Sequence, residues 1–271
     1  MSQITGVLIL ALVNQAKIGV ETIRQMKGRQ IIPALTAYDY PMTRLLDEIG
    51  IPLILVGDSL GMVVLGYPDT TFVTMEEMEH HIRAAARAKP KALLVGDLPC
   101  QSYATPSLAI GNAQRLAAAG AEAVKAEGGR EIIPQIEAIV GAGIPFCGHL
   151  GMLPQRVREE GGYRVKGKAD PEKTALLEDA AALQKAGAFA IVLELVSPPL
   201  ARELTAAVSI PTIGIGSGPD CDGQILVTYD LLGLFPWFTP RFVKPKLNAS
   251  EQIKGVVLQW KNSLENLTAK T

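Results

Sequence analysis

Short apolar runs rich in β-branched residues recur along the chain, separated by longer stretches whose apolar positions repeat at helical spacing. The runs are "IIPALTA" (31–37), "IPLILVG" (51–57), "ALLVG" (92–96), "EAVKA" (122–126), "IPFCG" (144–148), "FAIVLEL" (189–195), "IPTIGIG" (210–216) and "QILVT" (224–228). Between most of them lie amphipathic segments such as "TMEEMEHHIRAAARA", "PSLAIGNAQRLAAAG" and "EKTALLEDAAALQKAG". Ala-Gly closes a segment at Gly120, Gly143 and Gly187, a helix C′ signal, and Thr74 and Thr105-Pro106 supply helix starts. Continuous apolar strands alternating with helices predict parallel strands buried on both faces. Eight such units in 271 residues predict a single (β/α)8 TIM barrel over 18–271. The alternative is an open doubly wound sheet, which usually carries GxGxxG after its first strand; "TAYDYPM" is not that motif.

Ahead of this pattern stands the octet "GVLILALV" (6–13), far shorter than the roughly 20 residues of a membrane span. No positive charge precedes it, as a secretory signal requires; the first lysine is Lys17. Residues 1–17 therefore read as an apolar extension forming an additional N-terminal helix. Net charge is −1, so nothing electrostatic favours nucleic acid or an anionic membrane. Three scattered cysteines without a CxxC pair point to a reducing, cytoplasmic setting.

Barrel active sites sit at the C-terminal strand ends. There this chain places Asp58 and Ser59 after the second run, Asp97 after the third, Lys125 and Glu127 at the fourth, His149 at the fifth and Glu194 at the sixth. Converging acids repel unless protons or a cation intervene. The all-oxygen set Asp58, Asp97 and Glu127 suits Mg²⁺, Mn²⁺ or Ca²⁺, unless each acid merely caps a helix or binds loop amides. Lys125 lies two residues before Glu127, on the same strand face, and fits a substrate carboxylate, an enolate oxygen or a Schiff base; an internal ion pair with Glu127 is the alternative. His149, flanked by glycines, lies either beside a ligand or against a loop carbonyl. Glu194 interrupts "IVLELV" and reads as a general base with a raised pKa, or as a partner to an arginine. "GIGSGPDCDG" (214–223) is either a phosphate cradle or a set of tight turns. "GGYRVKGKAD" (161–170) is either a lid or a solvated loop.

The ordered motifs "TAYDYP", "VGDSLGMVVLGYPDT", "DLPCQSYATP", "VKAEGG", "CGHLGMLPQ", "GGYRVKGK", "GIGSG…DGQILV" and "PRFVK" resemble the ketopantoate hydroxymethyltransferase family from about Ile18 to Lys246. The resemblance implies a (β/α)8 barrel of the phosphoenolpyruvate/pyruvate superfamily, a cytoplasmic homodecamer of pantothenate biosynthesis. It implies transfer of a hydroxymethyl group from 5,10-methylenetetrahydrofolate to 3-methyl-2-oxobutanoate through a Mg²⁺-stabilised enolate, giving 2-dehydropantoate. It implies Asp58, Asp97 and Glu127 as magnesium ligands, and Asp58, Ser59, Asp97 and Lys125 as contacts to the keto acid. Glu194 matches the proton acceptor and His149 the histidine beside the substrate. Residues 1–17 match nothing in the family, and Cys100, Leu153 and Tyr229 stand where other residues are usual. Magnesium-dependent carbon–carbon lyases of the same superfamily share the "CGH" triplet, but Pro145-Phe146 precede it here where they carry basic residues. A catalytically silent relative would lack part of the set Asp58, Asp97, Lys125, Glu127 and Glu194, all of which are present.

Overall fold

A computed structural model describes residues 16–268, so most of the expected N-terminal helix lies outside the described residues; Ala16–Gly19 are irregular. Eight parallel strands close into a barrel in sequence order. They are β1 (Ile32–Thr36), β2 (Leu53–Val56), β3 (Leu93–Asp97), β4 (Ala123–Lys125), β5 (Phe146–Gly151), β6 (Ala190–Glu194), β7 (Thr212–Ile215) and β8 (Gly223–Leu226). The open-sheet alternative is thereby excluded. Every predicted apolar run overlaps one strand, with β3 and β5 running past the end of their runs and β8 starting one residue earlier.

The helices begin and end where the sequence signals lie. Thr74 caps Met75–Ala86 with a capping box to Glu77, and Thr105 caps Pro106–Ala119 by accepting from the Leu108 amide. Gly120, Gly143 and Gly187 all adopt positive φ, the left-handed turn that ends a helix without a Cβ clash.

Alternation along the strands divides two apolar layers. Ile32 and Ala34, Leu53 and Leu55, Leu93 and Val95, and Ala190 and Val192 join one buried cluster that fills the barrel. The helix Val20–Met26 adds Ile23 and Met26 to it beside residues that open their strands, and so closes the N-terminal end. Lys27, just past that helix, bonds Asp222 at 2.8 Å and the Thr205 carbonyl at 2.9 Å. The intervening strand residues Ile54, Val56, Leu94, Val124, Ile191 and Leu193 are also buried, under the helices. A barrel sealed below and coated outside leaves its C-terminal mouth as the place for chemistry.

The chain forms two compact units, the first ending at Ile225 and the second beginning at Leu226. In the second unit, the helix Thr228–Leu232 stops at Gly233 (φ 61°), whose carbonyl accepts from the Ser250 amide. The long helix Ala249–Thr268 follows. Among the described residues, no helix is long and apolar enough to cross a membrane.

One backbone position couples the barrel to its mouth. Gly151, the last residue of β5, has φ +97°, and a Cβ there would stand 2.2 Å from the Glu194 carbonyl oxygen. Gly151→Ala is expected to cost about 3 kcal/mol, lowering Tm by roughly 6–12 °C in a thermal melt. An unchanged Tm would show that the β5–β6 end relaxes freely.

Candidate active site

The period-2 series that fills the barrel continues into the mouth, but the residues become polar. Leu93 and Val95 lead to Asp97, Ala123 leads to Lys125 and on to Glu127, Cys147 leads to His149, and Ala190 and Val192 lead to Glu194. The parallel register places Asp97 opposite Lys125 and Gly151 opposite Glu194. Thus the inward face delivers these side chains to one depth, and all but Glu194 are at most 4% exposed.

Lys125 is the hub. Its Nζ lies 2.6 Å from Asp97 Oδ1 and 3.2 Å from His149 Nδ1. The alternative of an ion pair with Glu127 gives way to Asp97, because the β3–β4 register sets those two inward side chains side by side. Asp97 Oδ2 accepts from the Asp58 amide at 3.1 Å, tying the β2 end to β3. His149 bonds no loop carbonyl through its ring. Its Nδ1 is 3.6 Å from Glu127 Oε1, and its Nε2 is 3.3 Å from Glu194 Oε2. Glu194 meets this histidine rather than an arginine.

Four buried or nearly buried acids share one ammonium, and their proton affinities show it. Burial and then the Asp97 charge push the Asp58 carboxyl up to about 7, against Lys125. Burial raises Asp97 as well, opposed by Lys125. Glu127 is driven well above the carboxylate range by burial and by Asp58. Burial, with Asp58 and Asp97, lifts Glu194 to about 8 despite Lys125. Burial works against the Lys125 charge, yet Asp97, Glu127 and Asp58 outweigh it and hold the ammonium protonated. His149 is held well below its ordinary value by burial and by Lys125, and so is neutral.

Three residues that periodicity did not single out complete the group. Tyr38, after β1, bonds Ser59 Oγ at 2.9 Å, and its carbonyl faces His81 Nδ1 at 2.6 Å. Gln155, in the turn Pro154–Arg156, sends its side-chain amide to Asp58 Oδ2 at 2.8 Å and its backbone N–H to Glu127 Oε2 at 2.9 Å. The Tyr103 hydroxyl donates to Gln155 Oε1 at 2.6 Å. All three lie within the quoted motifs but on loops, where no repeat marks them.

Other expectations resolve as follows. The loop 214–223 is occupied with its own bonds. Ser217 donates to the Leu193 carbonyl at 2.7 Å and accepts from the Val196 amide, and Gln224 bonds the Gly218 carbonyl. Glycine there serves tight turns, with φ +64° at Gly216 and +84° at Gly218. The segment 161–170 is anchored rather than loose. The Lys166 amide bonds the Leu195 carbonyl, its own carbonyl accepts from Ser197, and its buried side chain pairs with Glu160. Burial and the charges of Glu194, Asp58 and Glu127 raise the Tyr163 phenol, which lies by the mouth. Cys100 Sγ approaches the Gln155 carbonyl at 3.8 Å, and Leu153 is buried two residues before Gln155.

The acids converge without forming a closed three-ligand cluster: among the described residues, no group of three His, Cys, Asp or Glu side chains is arranged to hold a metal ion. Gln155 stands between Asp58 and Glu127, and Lys125 occupies one oxygen of Asp97. The donor chemistry nonetheless fits a hard divalent cation. The mouth carries an excess of carboxylate over ammonium, and Glu127 Oε1 is buried with no hydrogen-bond partner.

Fold and mouth together define a (β/α)8 barrel that gathers buried carboxylates at the C-terminal ends of its strands. The family model for ketopantoate hydroxymethyltransferase matches residues 17–268, and the chain belongs to that family of transferases. It is 52% identical to the 3-methyl-2-oxobutanoate hydroxymethyltransferase of Ignicoccus hospitalis over 88% of this chain and 90% of that one. It is 51% identical to the Moorella thermoacetica protein of the same name, over 93% and 94%. Among solved structures, a phosphonopyruvate hydrolase in complex with oxalate and Mg²⁺ shares the fold, with TM-score 0.60, 16% identity and coverage of 79% of this chain and 81% of that one.

The raised Glu194 has a consequence for stability. Folded protein holds this proton up to about pH 8, whereas the unfolded chain releases it at the ordinary carboxylate pKa. Stability from this group therefore falls as pH rises between those two values. In metal-free protein, Glu194→Gln is expected to melt with wild type at pH 4 and up to about 5 kcal/mol more stably at pH 9, roughly 10–20 °C in Tm. A Tm gap independent of pH would show that Glu194 ionises normally.

Proposed function

We propose that this enzyme transfers a hydroxymethyl group from 5,10-methylenetetrahydrofolate to 3-methyl-2-oxobutanoate, giving 2-dehydropantoate for pantothenate biosynthesis. The observation that carries the reading is Glu194, nearly buried, with its pKa lifted to about 8 and its carboxyl 3.3 Å from a neutral histidine. A carboxylate of that basicity is matched to taking a proton from carbon next to a keto group near neutral pH.

Asp58 and Asp97, with the unpartnered Oε1 of Glu127 as third acid, would hold Mg²⁺, which sits comfortably on one or two carboxylates when substrate oxygens complete its shell. Bound there, Mg²⁺ supplies Lewis-acid polarisation of the keto oxygen. The oxalate and Mg²⁺ complex of the phosphonopyruvate hydrolase, an α-dicarbonyl with the same metal on the same fold, supports that choice.

The protein's own groups then divide the work. Lys125 stays protonated and offers positive charge to the keto-acid carboxylate or the developing enolate oxygen. Ser59, steadied by Tyr38, is a hydrogen-bonding group beside Asp58 for the same substrate. Glu194 removes the C3 proton. His149, neutral, takes the Lys125 N–H at Nδ1 and keeps its own N–H on Nε2, directed at Glu194. At 3.3 Å from Glu194 Oε2 that nitrogen makes no hydrogen bond in this geometry, and it acts on the carboxylate as a nearby dipole. The carbanion at C3 forms the new carbon–carbon bond to the one-carbon unit; both bonds from that carbon to the folate nitrogens break, one water supplies the hydroxyl oxygen, and the nitrogens take up protons from that water and the C3 proton, releasing tetrahydrofolate.

Deuterium exchange at C3 of 3-methyl-2-oxobutanoate, followed by NMR in D₂O with Mg²⁺, separates enolisation from the folate step. Wild type is expected to exchange the C3 proton, EDTA to abolish exchange, and Glu194→Gln to slow it at least 100-fold, on the order of the loss of a general base. Absence of both exchange and 2-dehydropantoate formation with the complete substrate set would refute the transferase reading. Undiminished exchange in Glu194→Gln would remove Glu194 as the base.

A further inference from the structure

We infer that Gln155 is a positioning residue for the metal and keto-acid site, fixing Asp58 in a single rotamer, and that Tyr103 acts through it by fixing the amide. The inference rests on the proposed reading of Asp58 as a metal ligand and goes beyond it to a residue outside the acid set.

All the hydrogen-bonding groups of the Gln155 side chain are used. Its two amide protons go to Asp58 Oδ2 at 2.8 Å and to the Leu98 carbonyl at 3.0 Å. Its Oε1 accepts the Tyr103 hydroxyl at 2.6 Å. The carbonyl of Leu98 accepts only, so the amide nitrogen must face it and the flipped orientation is excluded; the Tyr103 hydroxyl, also 3.1 Å from the Glu127 carbonyl, makes its shorter contact to Oε1. The side chain is 7% exposed, so water does not compete for these bonds. Asp58 therefore has one oxygen committed to the amide, and the Ser59 backbone N–H also bonds its carboxylate, so the group is held from two sides.

The geometry also distinguishes positioning from general scaffolding. Gln155 reaches Glu127 through its backbone N–H, at 2.9 Å, and reaches Asp58 only through its side chain. A side-chain substitution thus releases Asp58 while leaving the Glu127 contact in place. With the amide gone, Asp58 loses the side-chain bond that holds Oδ2. Residues that orient metal ligands in this way are typically worth 10–100-fold in metal affinity.

The test uses the full chain and Mn²⁺ as the probe, with free Mn²⁺ read by electron paramagnetic resonance in the presence of saturating 3-methyl-2-oxobutanoate. Gln155→Leu is expected to weaken Mn²⁺ binding about 10–100-fold per folded molecule, with folding checked by near-UV circular dichroism. Tyr103→Phe, which removes one hydroxyl, is expected to weaken it less. The double variant is expected to bind no worse than Gln155→Leu alone, because both act on one bond. Raised Mg²⁺ is expected to restore C3 exchange in both single variants, a recovery that a merely structural lesion would not show. Affinity within twofold of wild type in folded Gln155→Leu, or losses that simply add in the double variant, would overturn the inference. Should Gln155→Leu fail to fold, unchanged affinity in Tyr103→Phe would do the same. Wild type that binds no Mn²⁺ would overturn the metal reading itself, and this inference with it.

Discussion

The mouth of this barrel is organised around one buried ammonium. Among the described residues Lys125 is the cation set between Asp58, Asp97, Glu127 and Glu194, and its 2.6 Å contact with Asp97 crosses two neighbouring strands at their last paired residues. In a low-dielectric setting neither group is tolerable alone; removing one partner of such a pair typically costs about 3–5 kcal/mol. The rest of the site follows from that pair. Asp97 spends its second oxygen on the Asp58 amide, which fixes where β2 turns into its helix. Lys125 spends a proton on His149 Nδ1, which decides the histidine tautomer and so the donor that faces Glu194. The histidine cannot charge while that ammonium is beside it. On the proposed reading its role is therefore directional rather than acid–base.

One cation cannot satisfy four acids, and on the proposed metal reading this shortfall favours a chelating substrate. The raised affinities of Asp58, Glu127 and Glu194 for protons measure the same deficit that a divalent ion would relieve. A metal near Asp58 and Asp97 would also draw Glu194 toward ionisation, so loading the site and arming the base are electrostatically linked. An acceptor carbon beside a chelating keto acid uses both effects at once. A substrate without the second chelating oxygen would leave the deficit uncorrected and the base protonated. On these terms, discrimination comes from charge balance before it comes from shape.

Much of this was legible in the sequence, for a stated reason. Parallel strands buried on both faces leave near-continuous apolar runs, and a polar residue breaking or ending such a run stands out; Asp97, Lys125, His149 and Glu194 were all visible in this way. The same continuity hides strand parity. "EAVKAEGG" places Lys125 and Glu127 on one face, but only the β3–β4 register reveals that Lys125 spends its charge on Asp97. Tyr38, Tyr103 and Gln155 were not singled out because they sit in turns, where a side chain's direction depends on tertiary contacts and no period announces it. The glycines of 214–223 show the converse ambiguity. Phosphate cradles and tight turns call for the same residue, and only the bonds of Ser217 and Gln224 distinguish them here.

The placement of glycine explains how so many polar groups reach one depth without prising the barrel open. Gly57 precedes Asp58 on the inward face, where a Cβ would stand 3.1 Å from Ser59 Oγ and 3.3 Å from Asp97 Oδ2. Gly148 and Gly151 bracket His149, and at either position a Cβ would come within 2.2 Å of a neighbour: Leu183 outside the barrel for Gly148, the Glu194 carbonyl for Gly151. Small residues at these places let the β2, β3, β5 and β6 ends close in, and closeness is what couples the charges. A larger residue would spread the acids, lower their proton affinity toward ordinary values, and weaken the pull on a cation. The site's electrostatics and the barrel's packing are therefore one constraint: the strands must approach closely enough to make the acids strain, and Lys125 must be there to let them.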